Sequence, residues 1–422
     1  MKKIDVLFRG WGQAWVLGTL ADNGADLLFE YSPETLARDI EFSPLHLPLR
    51  AAAFSGFPEH LGRLPGLVSD SLPDGWGLLL MDQLFLKSGR DPHRVSPLDR
   101  LSFIGERAMG ALAFRPSDDL SASSDDMSLL ELARASHEII EDKDTAALKA
   151  LALVGGSPHG ARPKALVRLD ENTATVSTRE DVAGGFWLVK FPARAEHKEV
   201  CAIEHAYAGL ARSCGIEVPP TRHFEIDKHL AAFGVERFDR VGAMRVPVHS
   251  FAGALHANFR LPALDYQTLL RATRLFTRDE AEVAKAFARC VFNVVFNNRD
   301  DHAKNFSLRM DERMAWKLSP AYDLSFNAGP RGWHQTSVMG EALAPGRADL
   351  LRLAQDCGVP AAIAAQTMDR ICTEADGLAA RLQAFEIRKA TCKTIADAVA
   401  RNVQRCKAGP EGGAAARRRS PR

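Results

Sequence analysis

Between Asn297 and Asp323 the chain reads NNRDDHAKNFSLRMDERMAWKLSPAYD, and this run gathers its most reactive side chains. Asp300, Asp301, His302, Lys304 and Asn305 share one charged loop, and Asp323 follows 18 residues after Asn305. An acid, an Asn five residues later, a tight hairpin and a second acid is the order of parts in a kinase-type phosphoryl-transfer site. There the first Asp accepts the substrate hydroxyl's proton, while the Asn and the last Asp hold magnesium against the nucleotide phosphates. Oxygen ligands suit Mg2+, which takes one or two protein oxygens and fills its shell with water and phosphate. Asp and Asn clusters beside Pro also occur in ordinary turns, where their side chains bond the local backbone. A His with two Asp would alternatively suit zinc, but no second His-rich cluster supplies the remaining ligands.

The neighbouring elements must bring these groups together. The apolar run from Ala284 to Phe296 predicts a helix feeding the loop, within a helical region from Tyr266 to Asn297. Phe306 to Met310 and Ala315 to Leu318 read as strands around the polar turn Asp311-Glu312-Arg313, and the chain bends at Ser319-Pro320. Such a hairpin returns Asp323 to the loop it left.

Two further stretches carry candidate phosphate-binding groups. In LVGGSPHGARPKALVRL, Gly156, Ser157, Gly160 and Ala161 precede a strand that starts at Lys164. Free backbone amides of small residues can wrap phosphates, and Lys164 adds charge. The spacing is neither a Walker A nor a GxGxxG pattern, and a flexible hairpin loop accounts for it equally well. The strand Phe186 to Pro192 (FWLVKFP) carries Lys190 among apolar residues. A buried ammonium is costly without a partner, which in a kinase is a nucleotide phosphate together with a helix carboxylate. Glu204 on the following helix is one candidate and Glu199 the other; snorkelling from an edge strand is the alternative for the lysine. Glu236-Arg237-Phe238 ends a later strand, where an adenine-binding hinge would lie.

Composition bounds the rest. The 422 residues are 46% hydrophobic and 25% charged, the balance of a globular chain long enough for two or three domains. A formal net charge of +1 gives no global case for nucleic-acid binding. Seven scattered Cys without a CxxC pair read as reduced thiols, and no long apolar segment or cleavable leader is evident. The expectation is a cytoplasmic protein with no membrane contact.

Residues 1 to about 50 alternate in a β manner, with Leu45, Leu47 and Leu49 as an extended exit; a helical run from Leu78 to Leu86 and a loop-strand pattern from Leu98 to Pro116 complete a β-rich N-terminal region, 1 to 116. Trp76, inside a Gly-Trp-Gly turn, is expected to pack beneath that turn. Residues 117 to 240 and 241 to 406 divide into a strand-rich and a helical part. The tail from 407 to 422 is basic and low in complexity, as disordered segments are.

Taken together, SPLHLPL, SDSLPDGWG, GGSPHGARPKA, WLVKFP, VERFDR, NRDDHAKNFSL and LSPAYDLS, in that order, resemble the HipA family of serine/threonine kinases. Members of that family are toxins of type II toxin–antitoxin systems. The resemblance covers roughly residues 4 to 405. It implies an α+β fold: a kinase-like two-lobed core, a small β-rich N-terminal subdomain and an all-α C-terminal region. It implies ATP and Mg2+ as cofactors, Asp300 as catalytic base, Asn305 and Asp323 as metal ligands, and His302 beside the nucleotide in the catalytic loop. Lys190 would contact ATP phosphates alongside the Gly156–Lys164 loop, Glu236 and Phe238 would meet adenine, and Ser157 would be the autophosphorylation site that switches the enzyme off.

The family usually pairs with a small helix-turn-helix antitoxin that binds DNA, and it phosphorylates translation components of the aminoacyl-tRNA synthetase class. Near-neutral charge here implies that DNA contact comes through the partner. HSFAGALHANFRLPALDY departs from the best-known toxins, which bears on the substrate. The same order of acid, Asn, hairpin and acid also fits a small-molecule kinase of the aminoglycoside-phosphotransferase type, and a corepressor role is the third reading.

Overall fold

The computed structural model describes residues 1–117, 126–140, 148, 151–152, 160–170, 175–179 and 181–408. Two compact units emerge: Met1–Cys201 with Pro220–His256 and Arg309–Met314, and Ala202–Pro219 with Ala257–Leu308 and Ala315–Arg422.

The first unit holds two five-stranded sheets. In the N-terminal one, β1 (Lys3–Phe8), β2 (Trp15–Asp22), β3 (Leu27–Tyr31), β4 (Ala53–Phe54) and β5 (Leu112–Arg115) pair antiparallel in the order β4-β3-β2-β1-β5. Alternation sends Ile4, Val6 and Phe8 into the core, where the Phe8 ring lies 4.1 Å from Trp15. Gly18 is required by its neighbour strand, since a Cβ there would stand 2.4 Å from the Glu30 carbonyl oxygen.

Two expectations for this module fail. Residues 45–49 form no strand: a bridge from Ser43 to Leu47 closes a turn, and Pro44 and Pro48 supply no ladder N–H. The 98–116 stretch begins as a helix, Pro97–Ile104, before reaching β5. Its start was legible, because Ser96 and Asp99 close a reciprocal capping box ahead of Pro97 at the first helical position.

The second sheet comprises β6 (Lys164–Asp170), β7 (Thr175–Ser177), β8 (Gly185–Lys190), β9 (Thr221–Glu225) and β10 (Ala231–Glu236), ordered β7-β6-β8-β10-β9. Trp187, Val189 and Phe191 pack with Val167, Leu169, Trp76 and Leu80 into its core.

Several of the quoted sequence motifs meet in one polar cluster of the first unit. Asp70 accepts from His249 Nδ1 at 2.7 Å, Ser250 N at 2.7 Å and Ser250 Oγ, while Ser43 Oγ lies 3.1 Å from His249 Nε2. Nearby, His46 and His256 stack at 3.8 Å, and His60 Nε2 lies 2.9 Å from the His256 carbonyl. Burial first, and then the rings of His46, His249 and His60, depress the His256 pKa to about 4, against a weaker opposing pull from Asp70.

A depressed folded-state pKa means that the unfolded chain takes up the proton first as pH falls. The stabilisation is therefore complete above about pH 6.5 and is lost between there and about pH 4. His256 also has φ 51, a region Asn tolerates. His256→Asn should flatten the fall in urea midpoint between pH 7 and pH 5, and an unchanged slope would assign that fall to other groups.

The second unit is mainly helical. The expected 266–297 helical region is two helices, Tyr266–Thr277 and Glu280–Val295, broken where Arg278 turns left-handed (φ 52). Asp279 caps the second by accepting from Ala281 N at 3.0 Å. Phe287, Cys290, Val291, Phe292, Val294 and Val295 bury this helix on every side. Arg347–Asp356, Ala361–Glu374, Leu378–Gln383 and Lys389–Lys407 complete the unit. No helix among the described residues is long and apolar enough to cross a membrane. All seven cysteines are buried free thiols.

Candidate active site

The buried helix ends at Val295, and Asn297 reverses the chain with φ 56. Polar side chains in an apolar helix are expensive unless satisfied, and here they aim the loop that follows. Asn293 Oδ1 accepts from Asn298 Nδ2 at 3.0 Å, and Asn293 Nδ2 donates to Tyr266 Oη at 2.9 Å. Asn297 Nδ2 reaches the Asn327 carbonyl at 3.0 Å, and the Asn327 N–H returns to the Asn297 carbonyl at 3.0 Å. The loop is thereby fixed at both sides before Asp300 is reached.

The two adjacent acids have different environments. Asp301 is 1% exposed and takes Tyr266 Oη at 2.8 Å, His334 Nδ1 at 2.9 Å, Gln335 N at 2.9 Å and Thr336 N at 3.2 Å. Thr336 Oγ1 donates to its backbone carbonyl. Burial, and then the Asp301 charge, raise the Tyr266 pKa well above its ordinary value, so this phenol remains a donor. Asp301 is a structural anchor. Asp300 is half-buried, and its carbonyl accepts from Asn305 Nδ2 at 2.7 Å.

That last bond decides how Asn305 is presented. An amide whose NH2 is committed to a carbonyl offers its Oδ1 as the remaining ligand atom. Asp323 is brought back by the residue before it: Tyr322 Oη donates to the Lys304 carbonyl at 2.7 Å and lies 2.6 Å from Ser307 Oγ. The hairpin thus closes next to Asn305. A recess lined by Asn293, Asn298, Asp301, Asn305 and Tyr322 opens at this point. Asp323 is half-buried with φ 55, a left-handed conformation that Asp adopts more readily than most side chains.

His302 is half-buried, with Nδ1 shielded from solvent and given no hydrogen-bond partner by the described residues. Its ring lies 5.7 Å from Phe259, over which Lys304 Nζ sits at 4.3 Å.

The lysine candidates belong to the first unit. Lys164 and Lys190 stand directly opposite each other on β6 and β8, at 2% and 8% exposure. Cross-strand partners project from the same face, so both side chains leave the sheet on one side. A Cβ at Gly160 (φ 107) would lie 2.5 Å from Lys164 Nζ, so this position must be glycine for the amine to sit there.

The SDSLPDGWG motif clasps that segment. Asp74 Oδ1 accepts the Gly160 N–H, Trp76 N donates to the Gly160 carbonyl at 3.1 Å, and Trp76 Nε1 donates to the Lys164 carbonyl at 3.2 Å. Trp76 is buried as expected, although it stands at the start of a helix, Gly75–Lys87, rather than in a turn before one, and it also positions Lys164. Ala161 is exposed beside Gly160, while Gly156 and Ser157 lie outside the described residues. Glu199 and Glu204 are both buried, at 4% and 2% exposure.

At the end of β10, burial alternates. Arg237 and Asp239 form a buried ion pair at 2.8 Å, and Glu236 before them and Phe238 between them are half-buried. The hydroxyl of Tyr322 and the amide of Asn293 were not singled out from the sequence. A polar residue inside CVFNVVF was the available signal for Asn293; nothing local marked Tyr322.

Comparison with known proteins agrees with this organisation. The HipA N-terminal domain matches residues 10–115 and the HipA-like C-terminal domain matches residues 156–379. A Sinorhizobium fredii protein that bears the name "Putative kinase Y4dM" is 28% identical over 275 residues, and the match covers 62% of this chain and 62% of that protein's length. Among solved structures, HipA of Shewanella oneidensis MR-1, determined with HipB and operator DNA, superposes with a TM-score of 0.68 at 16% identity over 96% of each chain. That likeness is one of fold, and it is the kinase-like α+β fold expected from the sequence. With more than half its length matched by the C-terminal domain alone, this chain belongs to the HipA family.

Proposed function

We propose that this protein is a Mg-ATP-dependent serine/threonine protein kinase. The observation that carries the reading is the pairing around the catalytic loop. Asn305 spends its NH2 on the Asp300 carbonyl, which leaves its amide oxygen to accept, and the bond from Tyr322 to the Lys304 carbonyl brings the chain at Asp323 back beside this loop. Mg2+, when bound, would supply positive charge against the nucleotide phosphates. Asn305 and Asp323 would hold it. Asp300 accepts the proton of the attacking hydroxyl, and its half-buried position leaves it reachable by an acceptor. Lys190 and Lys164 offset phosphate charge, with Gly160 and Ala161 beside them, and Glu236 and Phe238 receive the base. His302 would lie beside the nucleotide in the catalytic loop.

Family membership supports a protein acceptor in translation, of the aminoacyl-tRNA synthetase class, and autophosphorylation at Ser157 as the off-switch. A phosphoserine there would place nearly two negative charges where nucleotide phosphates are to bind. The Shewanella protein was determined with HipB and operator DNA, which supports a small DNA-binding antitoxin as partner here.

Removing one magnesium ligand tests the assignment. Asp323→Asn should lower the transfer rate by at least tenfold at 1 mM Mg2+, with partial recovery at high Mg2+ or Mn2+ and unchanged circular dichroism. A magnesium dependence identical to the parent's would remove Asp323 from the metal site.

A further inference from the structure

Arg299, the residue before Asp300, sits in a cluster of guanidinium groups that the phosphoryl-transfer reading does not use. Its side chain is 8% exposed, and Nε donates to Asn297 Oδ1 at 3.0 Å. The same oxygen accepts from Asn402 Nδ2 at 3.2 Å, which ties Arg299 to the Lys389–Lys407 helix. Arg401 is next to Asn402 in the chain, and Arg405 follows Asn402 by three residues on the same side of the helix. A Cβ on Gly332 would lie 3.5 Å from Arg299 Nη1, so a turn without a side chain borders the guanidinium. From Arg401, exposed, through Arg405, half-buried, to Arg299, the cluster runs from solvent inward.

None of the three arginines forms an ion pair among the described residues. The acids acting on them are committed elsewhere: Asp301 to the donors already named, and Glu341 Oε1 to the N–H groups of Leu343 and Ala344 at 2.9 and 3.1 Å. Burial first, and then Arg405 and Arg401, hold the Arg299 guanidinium below its usual pKa, the direction expected of uncompensated like charges. Folding has collected positive charge here without neutralising it.

We propose that Arg299, Arg401 and Arg405 form a binding site for a phosphate monoester dianion that fixes the catalytic loop from behind. A carboxylate would neutralise one of the three charges. A phosphate brings nearly two, with three acceptor oxygens that match planar guanidinium forks. The effect on the loop rests on the assignment of Asp300 as the acceptor's base; the binding itself does not. Arg299 N reaches the Asn327 carbonyl at 3.4 Å, and its own carbonyl takes Gln335 N at 3.2 Å, so clamping this residue steadies the segments bonded to the chain just before Asp300.

The test titrates full-length protein with inorganic phosphate and with a blocked Gly-phosphoserine-Gly peptide at constant ionic strength, by calorimetry. The Arg401→Ala/Arg405→Ala variant serves as the comparison. Both substitutions lie on the outer part of a helix, where Ala is well tolerated. Saturable binding that weakens at least tenfold in the double variant, with Asp300→Asn binding like the parent, supports the site. Peptide binding at least tenfold tighter than phosphate assigns a phosphorylated side chain as ligand, and equal affinities assign free phosphate. Equal binding by parent and double variant, or none below about 10 mM, overturns the proposal. A parent transfer rate that fails to rise when the site is filled overturns the coupling to the loop, and leaves the kinase reading untouched.

Discussion

Asp300→Asn should lower the phosphoryl-transfer rate by about 10²- to 10⁴-fold, the usual loss when a positioned general base is removed. The change keeps size and hydrogen-bonding capacity while removing the proton acceptor. The Asp300 backbone carbonyl holds Asn305 Nδ2, and that bond survives the substitution. The protein should remain folded, with unchanged circular dichroism. Nucleotide binding should persist. Transfer at the parental rate by a folded Asp300→Asn protein would exclude Asp300 as base.

The neighbouring acid should behave in the opposite way. Asp301→Ala removes the acceptor of a buried phenol, an imidazole and two backbone N–H groups. Each buried donor left unpaired costs about 1–3 kcal/mol, and breaking a buried charged network typically costs about 3–5 kcal/mol. Against a total stability of roughly 5–15 kcal/mol, that is a large share. The expected readout is a markedly lower denaturation midpoint, with activity lost only as far as the fold is lost. Asp301→Asn should be intermediate, because it keeps one acceptor oxygen while turning an NH2 toward groups that donate. A stable Asp301→Ala protein would mean that water replaces the carboxylate. The pair of substitutions thus separates chemistry from architecture at adjacent residues.

This contrast also marks where the sequence stops being informative. DDH alone is ordinary, and it was the order of acid, Asn, hairpin and acid that pointed to phosphoryl transfer. Which of two adjacent Asp faces the protein interior depends on Tyr266, His334, Gln335 and Thr336, more than 30 residues away on either side. No local pattern reports such a contact. Lys190 was legible as an ammonium in an apolar strand. That it stands opposite Lys164 depends on the register between β6 and β8, which the intervening loops help to set.

Periodic elements were easier to read. The helix leading to Asn297 and the strands on both sides of Asp311 appear close to where hydrophobic spacing put them. The failures have local physical reasons. Leu45, Leu47 and Leu49 alternate like a strand, yet the prolines between them withhold the N–H groups a ladder needs. Ser96-Pro97 began a helix whose short apolar run had read as a loop and strand. Arg278 split one helical stretch into two by a left-handed turn that its residue type gives no reason to expect.

The account is tested most directly by γ-labelled ATP with Mg2+, followed in the parent protein and in Asp300→Asn with a cell lysate as acceptor. The reading predicts label in protein, on serine or threonine, that requires Mg2+ and is lost in the variant while ATP still binds. Label confined to small molecules would instead make this a metabolite kinase, and no transfer by a parent protein that binds Mg-ATP would contradict the assignment of the loop as a phosphoryl-transfer site.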